Sequence, residues 1–413
     1  MKRARLREAG TGRETQTPVN PVEGVWMIPG FGNTGVLETG EGLVLVDLPG
    51  ARGVTKMMGT LRENLSAPVH TIFLTHGHGD HAFSLDPIFE EAEKNGTPPP
   101  RIIAHRNMVN RFNRYRMLAS YHDYINRIQF AVPEGIPAFP LPKRNPDITF
   151  DHSISTIVGG INFQAFHEKG ETDDCSWIWV PEKKTVFAGD LVIMGIPNIG
   201  NPFKVQRYTL EWAQGLEGIV AKEPEILVPG HSPLIVGKEK IREHLLTISK
   251  ALRYLHDEVV KRLNAGMWYE DILHEVDLPD DMKNSEVLMP TYGCPTFILH
   301  GILRQYTGWY DGNPSNLFPP KKAEIYKEVA ALAGKDRIIN KARDLKEEGS
   351  TAMALQFVDM ALASDSSTEE EKELHRLKGE LLGIMGDKEP SFIARNIFYN
   401  GHNEEMKLAG VEE

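Results

Sequence analysis

The chain has 413 residues, of which 41% are hydrophobic and 25% charged, so we expect an ordinary soluble globular protein of two domains. Its 46 basic and 57 acidic residues give a net charge of −11, which argues against a nucleic-acid partner because phosphate binding requires a basic face. No stretch approaches the roughly 18 apolar residues of a membrane span. The two distant cysteines, Cys175 and Cys294, exclude a disulfide framework, and we expect a cytoplasmic protein.

The N-terminal part of the chain predicts a tail followed by short strands. The basic N-terminus lacks the apolar core of a signal peptide, so we predict a flexible tail over residues 1–21. Strands are predicted at Val25–Ile28, Val36–Thr39 and Leu43–Val46, separated by Gly-rich turns. Residues 30–35, Gly-Phe-Gly-Asn-Thr-Gly, formally match the dinucleotide-binding fingerprint. A strand follows them where that fingerprint needs a helix, so we interpret them as a hairpin turn.

The strongest local signal is the run Thr-His-Gly-His-Gly-Asp-His at residues 75–81. It follows the apolar run Thr71–Leu74, which predicts a buried strand, and precedes residues 82–86, which predict a helix. Loops at strand ends are where catalytic residues concentrate. Histidines two residues apart on an extended loop can converge on one metal ion, and the last two ligands turn towards a second. The predicted metal ligands are His76, His78, Asp80 and His81.

The middle of the chain predicts a helical insertion and a loop near the site. Residues 106–130 are basic and aromatic. They predict either a solvated helix face or a wall of a substrate pocket, in which Arg114 and Arg116 would bind an anionic group. The proline-rich residues 133–147 predict a loop that could overhang the active site.

The last strands and the helical half follow in order. Strands are predicted at Thr185–Ala188, which leads to Asp190, and from Ile226, which leads to His231. Strand signals largely vanish after a predicted boundary near Gly237. The predicted helical regions are residues 241–266, residues 323–362 and a final pair that starts at residues 365–368.

The metal-ligand run resembles the signature of the metallo-β-lactamase superfamily. The resemblance implies an α/β fold, the αββα sandwich, with a metal pair between loops at one edge of two sheets. It also implies three further ligands, Glu171 in place of the usual histidine, Asp190 as the bridging carboxylate, and His231. The implied first site is His76, His78 and Glu171, and the implied second site is Asp80, His81 and His231.

A glutamate at position 171 resembles the alkylsulfatase branch, zinc-dependent enzymes that hydrolyse sulfate esters such as dodecyl sulfate. Residues 254–257, 306–320 and 395–399 resemble the helical dimerisation domain of that branch, which implies a homodimer. Because the chain ends near the end of that domain, we expect a short form without the lipid-carrier-like C-terminal domain. The implied domains are a tail at 1–21, the catalytic domain at 22–237, an all-α dimerisation domain at 238–405 and a C-terminal tail at 406–413.

Several positions receive finer predictions. Asp190 stands where the alkylsulfatases carry a second Glu, and residues 294–297, Cys-Pro-Thr-Phe, stand where they show a Ser-His-Asn stretch. Tyr292 matches a Tyr-Gly position near the sulfatase pocket and would donate a hydrogen bond to the ester, or is a core tyrosine. Asp47 would orient a ligating histidine, or is a turn residue. His167 would support the site or donate a proton, or is a surface histidine. The candidate catalytic residues are Asp80, Asp190 and Tyr292.

These residues predict a binuclear hydrolase that cleaves sulfate esters with a metal-bound hydroxide. The predicted substrate is a small anionic ester. The predicted cofactor is two Zn²⁺ ions, although Mn²⁺ or Fe²⁺ would also suit the ligands. Three carboxylates make the site less positive than a histidine at 171 would, which favours monoanionic sulfate esters over dianionic phosphate esters. Alternatives are hydrolysis of carboxylic esters, thioesters or lactones on the same metal pair, iron-dependent sulfur dioxygenation, and a non-catalytic dimeric scaffold. The complete ligand set counts against the last two.

Overall fold

A computed structural model describes residues 17–133, 135–136 and 139–411. The described chain forms two compact units, one of residues 17–123 and 139–308, the other of residues 124–133, 135–136 and 309–411. Most of the predicted tail at 1–21 lies outside the described residues, but its last residues form a strand. The predicted C-terminal tail begins inside a helix that ends at Leu408.

Two β-sheets form the first unit. The seven-stranded sheet has the order β1-β2-β3-β4-β5-β6-β7. Its strands are β1 Val19–Val22, β2 Val25–Ile28, β3 Thr34–Thr39, β4 Gly42–Val46, β5 Val69–Leu74, β6 Arg101–His105 and β7 Ile148–Phe150. The second sheet, of six strands in the described chain, has the order β13-β12-β11-β10-β9-β8. Its strands are β8 Ser153–Val158, β9 Ile161–His167, β10 Ser176–Val180, β11 Thr185–Gly189, β12 Ile226–Pro229 and β13 Ile235–Val236.

The helices between residues 54 and 306 are α1 Val54–Asn64, α2 Gly79–Ala82, α3 Asp86–Asn95, α4 Asn107–Met117, α5 Ala119–Gln129, α6 Thr209–Ala221, α7 Lys238–Asn264, α8 Tyr269–Glu275, α9 Asp280–Lys283 and α10 Pro295–Tyr306. Short 3₁₀ helices lie at Pro181–Lys183, Glu286–Leu288 and Pro314–Asn316. The chain passes into the second unit within α5.

Three apolar cores separate the layers of the first unit. Between the sheets, Phe73 of β5 stacks on Phe163 of β9 with ring centroids 5.7 Å apart. A second core joins the outer face of the first sheet to α1, α3 and α4, and a third joins the second sheet to α6, α7 and α10. β4, β5 and β6 are parallel, and β4 is buried along its whole length, as expected for strands covered on both faces. The predicted αββα layering is therefore confirmed.

Three local predictions differ from the structure. The helix predicted over residues 82–86 is wrong, because α2 ends at Ala82 and α3 begins only at Asp86. The single helical run at 323–362 is three helices, since left-handed Gly334 and Gly349 end two of them. The first unit extends to residue 308 and not to the predicted boundary near Gly237, because α7 packs its apolar face into the core beneath the second sheet.

The second unit is helical. Its helices are α11 Lys322–Ala333, α12 Lys335–Glu347, α13 Thr351–Leu362, α14 Thr368–Lys388 and α15 Phe392–Leu408. The predicted start of the final pair is confirmed, as the Ser367 side chain accepts a hydrogen bond from the Glu370 backbone amide and begins α14. None of the described helices is long and apolar enough to cross a membrane.

Candidate metal centre

The site lies where strands of the two sheets end. β4 and β5 are parallel and are followed by Asp47 and by the loop of residues 75–81. β11 and β12 are also parallel and lead to Asp190 and His231. The carboxyl ends of parallel strands share one edge of a sheet, so these side chains come together. The loop between β9 and β10 adds Glu171.

One group of ligand atoms forms around Glu171. His76 Nε2 lies 2.9 Å from His78 Nδ1, and the two nitrogens lie 3.5 Å and 3.6 Å from Glu171 Oε2. Asp190 Oδ2 lies 3.7 Å from His76 Nε2. These four side chains offer ligand atoms within 4.8 Å of one another, as a shared metal ion requires.

A second group forms around Asp80. His231 Nε2 lies 3.4 Å from Asp80 Oδ2, 3.4 Å from Asp190 Oδ2 and 3.3 Å from His81 Nε2. His81 Nε2 lies 3.2 Å from Asp190 Oδ1, so Asp190 reaches both groups. The structure therefore brings together all seven side chains that the resemblance implied.

The donor set has the chemistry of a divalent-metal site. Glu171 Oε2 and Asp190 Oδ1 are buried and accept no hydrogen bond, which is costly for carboxylate oxygens without a cation. Burial opposes charge on His231, but Asp190 and Asp80 raise its pKa to about 10. Burial also opposes ionisation of Glu171, yet Arg207 and His78 hold its pKa well below the usual range. Imidazoles and carboxylates arranged in this way fit Zn²⁺ or a similar ion.

Asp47 supports the ligand loop. Its Oδ1 accepts a hydrogen bond from the Thr75 amide at 2.7 Å, and its Oδ2 accepts one from Thr75 Oγ1 at 2.6 Å. The same Oδ2 lies 2.9 Å from His81 Nδ1, which leaves Nε2 to face the site. The backbone of Asp47 is left-handed, with φ of 60°, a strained conformation of the kind found at functional sites.

A second support comes from Asp174, for which the sequence allows either a turn or helix-cap role or a supporting role at the site. Asp174 Oδ2 accepts a hydrogen bond from the Gly77 amide at 2.8 Å, and Asp174 Oδ1 accepts one from Arg111 Nε at 2.6 Å. Arg111 also pairs with Asp173. This buried arginine of α4 therefore ties the Glu171 loop to the middle of the His-rich loop. The adjacent acidic pair was the only local signal for it.

The third support fixes Glu171. Arg207 pairs with Glu171 Oε1 and donates to the Asn198 carbonyl at 2.7 Å, while Asn198 Nδ2 donates to Glu171 Oε1 at 3.2 Å. Both supporting residues are buried. Neither lies in a recognisable motif, so no local signal in the sequence could have found them.

Two glycines permit close approach of the loops. A Cβ at Gly230 would lie 2.0 Å from Asp190 Oδ1, and one at Gly32 would lie 2.2 Å from the Asp80 carbonyl oxygen. Gly32 belongs to the turn between the antiparallel strands β2 and β3, so the hairpin interpretation of residues 30–35 is confirmed. Next to it, Asn33 Nδ2 donates to the carbonyls of Pro229 and Ser232, on either side of His231.

The predicted substrate residues lie in different surroundings. Arg116 donates to the Pro142 carbonyl, so it ties α4 to the proline-rich loop. Arg114 lies over the Tyr115 ring, 5.5 Å from its centroid. Tyr292 is partly buried, and its neighbour Gly293 packs against Pro197 and Asn198. Parts of the loop over residues 133–147 lie outside the described residues.

His167 and Lys204 are two further titratable groups. The sequence predicts His167 as a residue that supports the site or donates a proton, or as a surface histidine, and it makes no prediction for Lys204. The His167 ring stacks on His105 with centroids 3.7 Å apart, and His167 Nε2 lies 3.0 Å from the Asp173 carbonyl oxygen. Burial, and then Arg207, lower the pKa of Lys204 to about 7, while Glu171 and Asp80 act in the opposite direction.

Known families match both halves of the chain. Residues 27–231 match the metallo-beta-lactamase superfamily, and residues 269–407 match the alkyl sulfatase dimerisation family. A linear primary-alkylsulfatase from a Pseudomonas species is 25% identical over 359 residues, which is 80% of this chain and 66% of that protein. An alkyl/aryl-sulfatase from Saccharomyces cerevisiae is 22% identical over 348 residues, 79% of this chain and 54% of that protein. The chain thus spans about two thirds or less of the length of these curated relatives.

Solved structures share the fold. The stereoselective inverting sec-alkylsulfatase Pisa1 from a Pseudomonas species matches with a TM-score of 0.83 at 20% identity, over 96% of this chain and 66% of its own. A double mutant of the sec-alkyl sulfatase PisA1 matches with a TM-score of 0.86 at 19% identity, over 100% and 68%. The chain therefore carries a metallo-β-lactamase domain over residues 27–231 and an alkyl sulfatase dimerisation domain over residues 269–407, and it is homologous to the alkylsulfatases.

Proposed function

We propose that this protein is a binuclear zinc-dependent hydrolase of sulfate esters. The metallo-β-lactamase domain and its His/Asp/Glu cluster imply divalent-metal binding. The observation that carries the proposal is the convergence of seven ligand side chains, two of which present buried carboxylate oxygens without a hydrogen bond. The alkylsulfatase homologues support the choice of sulfate esters.

Each residue has a role in holding the ions or the substrate. His76, His78 and Glu171 would hold one ion, and Asp80, His81 and His231 the other, with Asp190 between them. Bound divalent ions would supply polarisation of the ester and a lowered pKa for a water molecule. Asp47 would keep His81 in the tautomer that presents Nε2 to the ion, because its Oδ2 accepts a hydrogen bond from the protonated Nδ1.

Cationic side chains favour an anionic substrate. The negative charges of Glu171 and Asp80 raise the pKa of Lys204, and the positive charge of Arg114 in α4 lowers it. We infer that Lys204 binds a sulfate oxygen. Tyr292 remains the proposed hydrogen-bond donor to the ester, and the homodimer remains a proposal that the dimerisation family supports.

Sulfate release tests this function directly. Zinc-reconstituted protein would be incubated with short and long alkyl sulfates and one aryl sulfate, and sulfate measured by ion chromatography. We expect release that chelator abolishes and that Asp190→Ala reduces by at least about 10³-fold, since the shared ligand is lost. Asp151→Ala, on the exposed partner of Arg106, should retain wild-type activity.

Other outcomes assign a different chemistry. If no ester releases sulfate at full zinc occupancy, the sulfatase proposal is contradicted. Hydrolysis of carboxylic esters, thioesters or lactones would then be the favoured reaction. Iron near one ion per chain, instead of two zinc ions, would support the sulfur dioxygenase.

A further inference from the structure

We propose that Arg207 neutralises the charge of Glu171 and leaves only one of its carboxylate oxygens free to bind a metal ion. Glu171 would then resemble a histidine ligand, which is neutral and binds through one atom. The inference rests on the proposed function, because it assumes that Glu171 binds a divalent ion. It assigns Arg207 as a positioning residue and predicts that the residues at 171 and 207 are interdependent.

The two carboxylate oxygens of Glu171 have different surroundings. Oε1 accepts hydrogen bonds from the Arg207 guanidinium and from Asn198 Nδ2. Oε2 is buried, accepts no hydrogen bond, and lies 3.5 Å from His76 Nε2 and 3.6 Å from His78 Nδ1. Since two donors already occupy Oε1, only Oε2 is available to a cation. The glutamate would therefore supply one ligand atom, as an imidazole does.

Arg207 is itself held in place. Its side chain is buried, and Nη1 donates to the Asn198 carbonyl at 2.7 Å as well as to Glu171. Asn198 thus binds both partners of the ion pair. A buried guanidinium is found in proteins almost only when it is paired, and here the charges of Arg207 and Glu171 compensate each other. The three residues form a closed set that fixes the orientation of the carboxylate.

The charge of the whole site changes accordingly. Asp80, Glu171 and Asp190 contribute three negative charges, and Arg207 offsets one of them. The remaining charge equals that of a site with histidine at position 171. The weaker attraction for dianionic substrates, expected from the three carboxylates alone, therefore does not follow. A second cation, Lys204, adds to the attraction for anions.

A double-mutant cycle at positions 171 and 207 tests the interdependence. The proteins are wild type, Arg207→Met, Glu171→His and the variant with both changes, with Arg253→Met as a control at the more exposed ion pair with Glu217. Zinc content after gel filtration would be measured by mass spectrometry, and zinc affinity by competition with a chromophoric chelator. Thermal unfolding identifies variants that do not fold.

Each single change should weaken the binding of one zinc ion by about 10- to 100-fold, the usual effect of losing a residue that orients a ligand. Arg207→Met leaves Glu171 as an unpaired buried carboxylate that can rotate. Glu171→His leaves a buried cation beside the ion. In the double variant, the neutral imidazole ligand at position 171 would lie beside the neutral side chain at position 207, and no buried charge would be left without a partner. We therefore expect the double variant to bind zinc more tightly than either single variant. Arg253→Met should match the wild type.

The outcomes separate this inference from the proposed function. A wild-type protein that retains no zinc contradicts the proposed function itself. If the wild type retains two ions and Arg207→Met does too with unchanged affinity, Arg207 has no such role. A double variant that binds more weakly than both single variants also overturns the inference. Should Arg207→Met fail to fold, the comparison of Glu171→His with the double variant still decides it.

Discussion

At the scale of single residues, Asp47 is the most connected support of the site. It accepts three hydrogen bonds from two neighbours, Thr75 and His81, and it does so from a left-handed backbone. Such a conformation costs about 1–3 kcal/mol for most residues, but asparagine tolerates it well. Charge and backbone conformation at this position can therefore be separated by mutation.

We predict that Asp47→Asn lowers zinc affinity about 10- to 100-fold while the protein stays folded. The nitrogen of the asparagine amide cannot accept a hydrogen bond from His81 Nδ1, so the tautomer of the ring is no longer fixed. Chelator competition and thermal unfolding of the zinc-free protein measure the two effects. Asp47→Ala should lose affinity and also stability, because alanine is strained at a φ of 60°. Unchanged zinc affinity in Asp47→Asn would show that Asp47 does not orient His81 for metal binding.

Lys204 supplies a prediction about pH. Burial and Arg207 lower its pKa to about 7, with Arg114 in the same direction and Glu171 and Asp80 opposed. The ammonium is charged below this pKa and neutral above it, so the KM for an anionic sulfate ester should rise as pH increases through 7. Steady-state kinetics between pH 6 and about 8.5 would show the rise.

Substitution of Lys204 checks the same contact independently. Lys204→Gln should raise KM about 10- to 100-fold, the cost of one charge-assisted hydrogen bond, and should abolish the rise in KM with pH. Lys204→Arg keeps the charge at all these pH values and should keep a low KM. A glutamine variant with wild-type KM and the same pH profile would show that Lys204 does not contact the substrate.

At the scale of elements, the site depends on loops that touch at glycines. The loop after β12 passes so close to Asp190 that a Cβ at Gly230 would lie 2.0 Å from its Oδ1. Gly230→Ala must therefore displace either the shared carboxylate or the loop that carries His231. We predict loss of at least one zinc ion and a fall in sulfate release of more than about 100-fold.

Gly59→Ala is the matched control for that substitution. Gly59 lies inside α1, and a Cβ there would meet no atom within 4 Å. Alanine should stabilise the helix by about 0.5–1 kcal/mol and leave zinc content unchanged. Zinc analysis and thermal unfolding of both variants separate loop contact from a general effect of alanine. A Gly230→Ala protein with two zinc ions would contradict the close approach.

At the scale of the whole molecule, the second unit carries large exposed apolar side chains. Phe318 is 90% exposed and Leu332 is 88% exposed, although both lie in the region that matches the dimerisation family. Single exposed apolar side chains are ordinary on protein surfaces, so it is the match of this region to a dimerisation family that makes these two candidates for an interface. We therefore predict a homodimer with twice the 46.3 kDa mass of one chain.

Light scattering after gel filtration measures that mass. Phe318→Asp together with Leu332→Asp should shift the protein towards monomer, because buried carboxylates would disfavour association. Ile157→Asp, at an exposed position of β8 in the first unit, should leave the dimer intact. A wild-type protein that is monomeric at micromolar concentration would contradict the prediction.

Local patterns in the sequence predicted the parts of the fold that local physics controls. β5 and the ligand run after it were identified because an apolar run ends directly on closely spaced His and Asp residues. Strand bounds were predicted to within a few residues where Gly-rich turns separate them. Predictions were weaker where the tertiary core decides, as for α7, which the sequence assigns to the helical second domain although it packs in the core of the first unit. No signal marked Arg207, because its partner is 36 residues away.

The sequence by itself determined which residue types lie in the ligand run and the order of strands and helices, since residue types and their periodicity carry that information. Its resemblance to the metallo-β-lactamase superfamily implied the layered α/β architecture. The tertiary structure alone decided how the ligands are supported and charged. Arg207 comes from a segment remote from the ligand Glu171, and Arg111 comes from one remote from Asp174, which supports the ligand loop. Both ion pairs are buried. Such pairings depend on the distance between side chains in the folded protein and on the exclusion of solvent. The spacing of residues along the chain predicts neither of these.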